Sequence, residues 1–151
     1  MLLEQVFNVS GVPSATFVKP ARYEALKVSI RTPGRCAVVE GPSGIGKTSC
    51  VNRILDELGM RANSTILSAR VAAELEYIVD LPNMRDFGIV IVDDFHVLDD
   101  DIKRRIADTM KVLADRGDPD SKLLLIGINK AGDRLVQYGT DVGLRIDIFR
   151  M

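Results

Sequence analysis

Gly41-Pro42-Ser43-Gly44-Ile45-Gly46-Lys47-Thr48 is the stretch whose reading decides the fold. It has the form of a Gly, four free positions, then Gly-Lys-Ser/Thr. The six residues before it, Arg35-Cys36-Ala37-Val38-Val39-Glu40, are short and mostly apolar, as a buried strand is. The residues after it, Ser49 to Leu58, place Val51, Ile54, Leu55 and Leu58 on one helical face, and Gly59 supplies a stop. Strand, glycine-rich loop and helix therefore follow one another in the order a phosphate cradle needs. Gly41, Gly44 and Gly46 permit backbone conformations closed to other residues, so that successive N–H groups can face one concavity. That concavity lies at a helix N-terminus, where free donors and the helix dipole both attract an anion.

Composition sets the outer bounds. At 151 residues the chain is one domain with a real core, and 46% hydrophobic with 27% charged residues is ordinary for a globular protein. A net charge of −1 gives no global reason to expect nucleic acid or an anionic membrane as a partner. Cys36 on a predicted buried strand and Cys50 on the helix after the loop read as reduced packing residues, which together with the lack of a secretory signal predicts a cytoplasmic protein. No apolar run approaches a membrane span, and no spacing resembles a zinc site.

Outward from the loop, residues 1 to 20 read as an irregular lead-in broken by Gly11, Pro13 and Pro20. Ala21 to Arg31 predicts a helix with Tyr23, Leu26 and Ile30 on one face, ended by Thr32-Pro33-Gly34. Phe17 and Val18 just before it read either as an apolar wall for a bound base or as a cap on the core. Downstream, Ser64 to Leu67 predicts a strand, and Ala69 to Val79 a helix with Val71, Leu75 and Ile78 as its apolar stripe. Gly88-Ile89-Val90-Ile91-Val92-Asp93-Asp94 has four β-branched residues in a row, the signature of an interior parallel strand, with two carboxylates at its C-terminal end. Asp100 to Arg116 is an amphipathic helix with Ile102, Ile106, Met110 and Leu113 inward, and Lys103, Arg104, Arg105, Asp108 and Lys111 on the wet side. Asp99, Asp100 and Asp101 stand where they can cap it. Lys122 to Ile128 predicts another interior strand ending in Asn129, Asp133 to Tyr138 a short helix, and Arg145 to Phe149 a last strand. Strands alternating with helices predict an α/β three-layer sandwich with a mostly parallel sheet of five strands.

The candidate site residues follow from that layout. Gly41, Pro42, Ser43, Gly44, Ile45, Gly46, Lys47, Thr48 and Ser49 form the cradle, with Lys47 reaching the β- and γ-phosphates of ATP or ADP and the Thr48 hydroxyl on Mg²⁺. Asp93 is a second Mg²⁺ ligand, usually through water. Asp94, one residue on, reads as the group that orients or deprotonates a water attacking the γ-phosphate, or else as a turn or cap residue. Asn129 is placed to hold that water or the γ-phosphate from the neighbouring strand.

GPSGIGKT, IVIVDD, LLLIGIN and GLRIDIF stand in the order and spacing of the AAA+ ATPases and the related STAND ATPases, which the chain resembles from about Phe17 to Phe149. The resemblance implies a P-loop NTPase sheet in the order 5-1-4-3-2, Mg²⁺-dependent ATP hydrolysis, and use as a nucleotide switch or oligomerising motor module. It also implies an arginine finger at Arg145, offered to a neighbouring subunit. The residue itself reads equally as a surface arginine paired with Asp141 or Asp147. Two departures make the likeness a mixed one. Asp93-Asp94 is nearer the STAND pattern than the Asp-Glu of AAA+ proteins, whereas Asn129 follows AAA+. The shorter Asp94 implies slow turnover. Both families follow the core with a helical lid, and the chain ends at Met151, so the expectation is a core belonging to a longer protein. An ATP-dependent loader or regulator acting on DNA is the competing expectation. The expected partners are ATP and, in the longer protein, further copies of itself, with no membrane.

Overall fold

A computed structural model describes residues 22–42, 44–128 and 146–151. Helix α1 covers Tyr23–Arg31, strand β1 Cys36–Glu40 and helix α2 Lys47–Glu57, followed by β2 Ser64–Ser68, α3 Ala72–Asp80 and β3 Gly88–Asp93. Helix α4 (Asp100–Arg116), β4 (Ser121–Gly127) and β5 (Ile146–Arg150) complete the elements, with single 3₁₀ turns at Arg61–Asn63, Leu81–Asn83 and Phe95–Val97. The five strands form one sheet in the order β2-β3-β4-β1-β5, and every neighbouring pair is parallel. This is the expected P-loop sandwich, with β4 inserted between the strand that carries the phosphate loop and the strand that carries the two carboxylates.

Alternation along the strands sorts side chains into the two outer layers, because successive residues of a strand face opposite ways. Ala37, Val39, Ile89, Ile91, Leu124 and Ile126 pack with Tyr23, Leu26 and Ile30 of α1 and Val51, Ile54 and Leu55 of α2. Cys36, Val38, Val90, Val92, Leu123 and Leu125 pack on the other face with Ile78 of α3 and Ile106, Met110 and Leu113 of α4. Both cysteines are buried free thiols inside these layers. Burial pushes the Cys36 thiol upward and raises the Cys50 thiol to about 11, so neither is a reactive thiolate near neutral pH.

Four expectations are corrected. The third helix begins at Ala72, and Val71 caps it from extended backbone, 44% exposed, so the inward stripe shrinks to Ile78 with partly buried Leu75. An N-capping residue stands outside the helical repeat, so its side chain does not follow the periodicity that Val71 fits on paper. Lys103 lies on the buried side of α4 rather than the wet side, since a long aliphatic stem can cover apolar surface as a hydrophobe does. Asp99 occupies the N-cap of α4 without a side-chain cap hydrogen bond, so its contribution there is charge against the dipole. Strand β5, described from Ile146, runs on past Phe149 to Arg150. The lead-in at 1–20, including Phe17 and Val18, and the expected helix at Asp133 to Tyr138 lie outside the described residues.

Lys122, read from the sequence only as a strand residue, is a structural anchor. It is 6% exposed, and its Nζ donates to the carbonyls of Ser29 at 3.2 Å, Thr32 at 2.7 Å and Arg35. These are carbonyls at and beyond the C-terminus of α1, where the helix leaves acceptors unpaired and favours a cation. Lys122→Met keeps the apolar stem and removes the donor, and should cost about 1–3 kcal/mol in urea denaturation. Burial pulls the Lys122 ammonium down to about 8 from 10.5, with Cys36 and Asp147 opposing. Between those values the unfolded chain binds the extra proton, so this group's contribution to stability rises with pH across that window. The penalty of Lys122→Met should therefore grow from pH 8 to 10.5. Comparing parent and variant separates this from Cys50, whose raised value acts in the opposite direction above pH 9, whereas Cys36 loses the Lys122 charge that lowers it, so its thiol rises further in the variant.

Candidate phosphate and metal site

The loop between β1 and α2 turns on two left-handed glycines, Gly44 at φ 81° and Gly46 at φ 86°, and Gly46 is the N-cap of α2. A side chain at either would be strained in that conformation. Gly41 differs from the expected reading: its φ is ordinary, and a Cβ there would stand 2.7 Å from Ile45 Cδ1 and 3.0 Å from the Met151 carbonyl, so that Ile45 would have to move aside. Helix α2 begins with no side-chain cap and no acidic residue in its first turn. Its amino end thus keeps both its free N–H groups and its positive dipole end for an anion.

Lys47, Thr48, Ser49, Gly44 and Gly46 line a cavity of about 340 Å³, and Asp93, Asp94, His96, Gly127 and Ile128 close it from the ends of β3 and β4. Lys47 Nζ donates to the carbonyls of Gly41 and Pro42, both at 2.8 Å, which folds its ammonium back over the loop. Burial pulls the Lys47 pKa down, and the charges of Asp93 and Asp94 oppose that. The Thr48 hydroxyl donates to Asp93 Oδ2 at 3.2 Å. A hydroxyl and a carboxylate held together are hard oxygen donors, the set that Mg²⁺ takes. The other Asp93 oxygen, Oδ1, accepts from the Asp94 N–H at 2.9 Å, which fixes the carboxylate's plane.

Asp94 adopts left-handed backbone, φ 57°, and caps the 3₁₀ turn Phe95–Val97. Asp is among the few residue types enriched there. The turn buries Phe95 in the core, 1% exposed, and leaves Asp94 at the sheet's carboxyl edge. Asp94 is thus a turn residue, as one sequence reading had it, and it also lines the cavity. It is further engaged by residues the sequence reading passed over. Arg70 Nε lies 3.3 Å from Asp94 Oδ2, the Ser68 hydroxyl donates to the same oxygen at 3.5 Å, and Arg70 Nη2 is 3.4 Å from His96 Nε2. Burial lowers the His96 pKa, Arg70, Lys103 and Lys47 lower it further, and Asp94 opposes them, so the imidazole is neutral at neutral pH. Register was the signal that could have found this group, for Ser68 pairs with Asp93 across β2 and β3 and so brings the turn after β2 beside the carboxylates.

The described residues thus bring together Lys47, Thr48, Ser49, Asp93 and Asp94 with most of the loop. Ser43, Asn129 and Arg145 lie outside them. The Asp147 carboxylate, one reading's partner for Arg145, accepts from the Ser29 hydroxyl at 2.8 Å and pairs with Arg35 at 3.3 Å. A larger depression of about 770 Å³ lies against α3, lined by Ala72, Leu75, Glu76, Tyr77, Val79 and Asp80, with two carboxylates but, among the described residues, no lysine, arginine or glycine turn in its lining.

No family model matches the sequence, and no curated protein matches it. Solved structures do. A DNA replication initiation factor aligns with 93% of this chain and 50% of its own at 15% identity and a TM-score of 0.64. A RuvB variant from Thermotoga maritima aligns with 89% of this chain and 46% of its own, at 16% identity and a TM-score of 0.58. The ORC1 protein of Aeropyrum pernix, solved in complex with DNA, aligns with 87% and 46%, at 17% identity and 0.51. The likeness is one of fold. The chain spans about half the length of the structures it resembles. Among the described residues no helix is long and apolar enough to cross a membrane.

Proposed function

We propose that the chain binds Mg²⁺-ATP at the loop between β1 and α2 and hydrolyses it slowly, as a switch or oligomerising motor module of AAA+/STAND type. The observation that carries this reading is the convergence of Lys47, Thr48 and Asp93 on one cavity at the amino end of α2. The loop N–H groups and Lys47 bind the phosphates. Thr48 and Asp93 would hold Mg²⁺, which would supply positive charge against the phosphates. Asp94 orients the attacking water and takes its proton, and Asn129, next in sequence but one after β4, is assigned to the same water or to the γ-phosphate. The expected result is one ATP site per chain in calorimetric titration with Mg²⁺, together with slow phosphate release. Absence of ATP binding at millimolar nucleotide overturns the reading.

Arg145 belongs to this proposal as a residue acting in trans on a neighbouring subunit's γ-phosphate. Specific activity should then rise with protein concentration. Lys47→Ala chains, which cannot hold ATP but carry Arg145, should restore activity to Arg145→Ala chains on mixing. Activity independent of concentration, with no rescue, makes Arg145 a surface residue.

A second reading draws on the structures of like fold, two of which are a DNA replication initiation factor and an ORC1 protein held on DNA. On that reading the nucleotide governs a DNA-directed activity of a longer protein. The net charge of −1 does not favour DNA binding by this chain alone. Retention on duplex DNA at moderate salt, dependent on ATP, would support it over a purely protein-directed switch.

A further inference from the structure

Asp94 is not a free carboxylate. Its Oδ2 faces Arg70 Nε at 3.3 Å and accepts from Ser68 at 3.5 Å. The same guanidinium places Nη2 3.4 Å from His96 Nε2. Guanidinium nitrogens only donate, so in this contact Nε2 is the acceptor. Arg70 therefore bridges two residues that line the phosphate cavity, Asp94 and His96, while remaining 59% exposed at its side chain. Such an exposed pair is easily exchanged. A terminal phosphate carries more charge than a carboxylate, and its oxygens fit the guanidinium fork two at a time.

We propose that Arg70 is a γ-phosphate ligand acting in cis: when a triphosphate binds, its guanidinium leaves Asp94 for the terminal phosphoryl oxygens and frees Asp94 for water. This rests on the ATP reading above and adds to it a residue that tells ATP from ADP. The exchange supplies both needs of the reaction with one movement. As the water oxygen bonds to the γ-phosphorus, the bond from phosphorus to the bridging oxygen breaks and its electron pair leaves with ADP. The water's proton passes to the freed Asp94 carboxylate, while Arg70 stabilises charge on the phosphoryl oxygens. His96, accepting from Nη2, orients the guanidinium plane in the nucleotide-free chain.

The test compares parent, Arg70→Ala and Arg70→Lys by calorimetry with ADP and with a non-hydrolysable ATP analogue, and by single-turnover phosphate release at saturating Mg²⁺-ATP. Arg70→Ala should bind ADP within about twofold of the parent, bind the triphosphate about tenfold more weakly, and release phosphate at least about a hundredfold more slowly. Arg70→Lys should recover part of the release rate, because it restores the charge without the fork. Release by Arg70→Ala equal to or faster than the parent overturns the proposal and leaves Arg70 as a tether on Asp94. Equal losses of ADP and triphosphate affinity also overturn it, by making Arg70 a support for the loop. A parent that binds neither nucleotide overturns the ATP reading and this proposal together, whereas an ADP-binding parent with an unchanged Arg70→Ala variant overturns only the latter.

Discussion

Lys47→Ala is expected to lower ATP affinity by at least about a hundredfold, with the fold intact. Lys47 is the one cation among the cavity-lining residues described, and its ammonium already stands at hydrogen-bond distance from the loop, 2.8 Å from the Gly41 and Pro42 carbonyls. A short swing carries it from those neutral acceptors to phosphate oxygens. Two charge-assisted hydrogen bonds of about 1.5–3 kcal/mol each account for the expected loss. The fold should tolerate the change because the side chain packs in neither core layer. Circular dichroism and urea midpoints should match the parent, and titration calorimetry reads the affinity. Retained affinity in a folded Lys47→Ala chain removes the loop between β1 and α2 from the binding site.

The second large effect separates the adjacent carboxylates. Asp93→Ala should weaken Mg²⁺-ATP binding, and the deficit should shrink when affinity is measured without Mg²⁺, because Asp93 faces the Thr48 hydroxyl rather than the loop N–H groups. Asp94→Asn should leave the affinity within a few-fold and lower the rate of phosphate release about 10²–10⁴-fold. The amide cannot take a proton from water, and it also forfeits the ion pair with Arg70. Unchanged turnover in Asp94→Asn reduces Asp94 to its role as cap of the turn that seats Phe95.

The sequence showed the sheet well because the decisive signals are local. Ile89 to Val92 and Leu123 to Ile126 are apolar without a break, which only strands buried on both faces require. GPSGIGKT specifies its own turn through Gly44 and Gly46. What stayed hidden depends on groups far apart in the chain. Lys122 looks like a stray charge at a strand's start until α1 brings three carbonyls to it. Arg70 falls inside the helix expected from Ala69 until the pairing of β2 with β3 sets it in a turn beside Asp94. Val71 and Lys103 misled for the opposite reason: helical periodicity assigns faces, but a cap lies outside the repeat and a long lysine stem passes for a hydrophobe.

The sheet order has a consequence for how the chain comes together. β1 pairs with neither β2 nor β3; its sheet neighbours are β4 and β5, with Ala37 beside Leu124 and Cys36 beside Ile146. A chain that has left the ribosome only as far as α4 already contains Lys47, Thr48 and Asp93, yet no strand pairing joins the strand behind the first two to the strand that ends in the third. Closing so long a loop of chain is the slow part of building a parallel sheet. On the ATP reading proposed above, nucleotide capture would be a late event in biogenesis, arriving when β4 pairs with its two neighbours, and bound ATP would then draw the folding equilibrium forward by mass action.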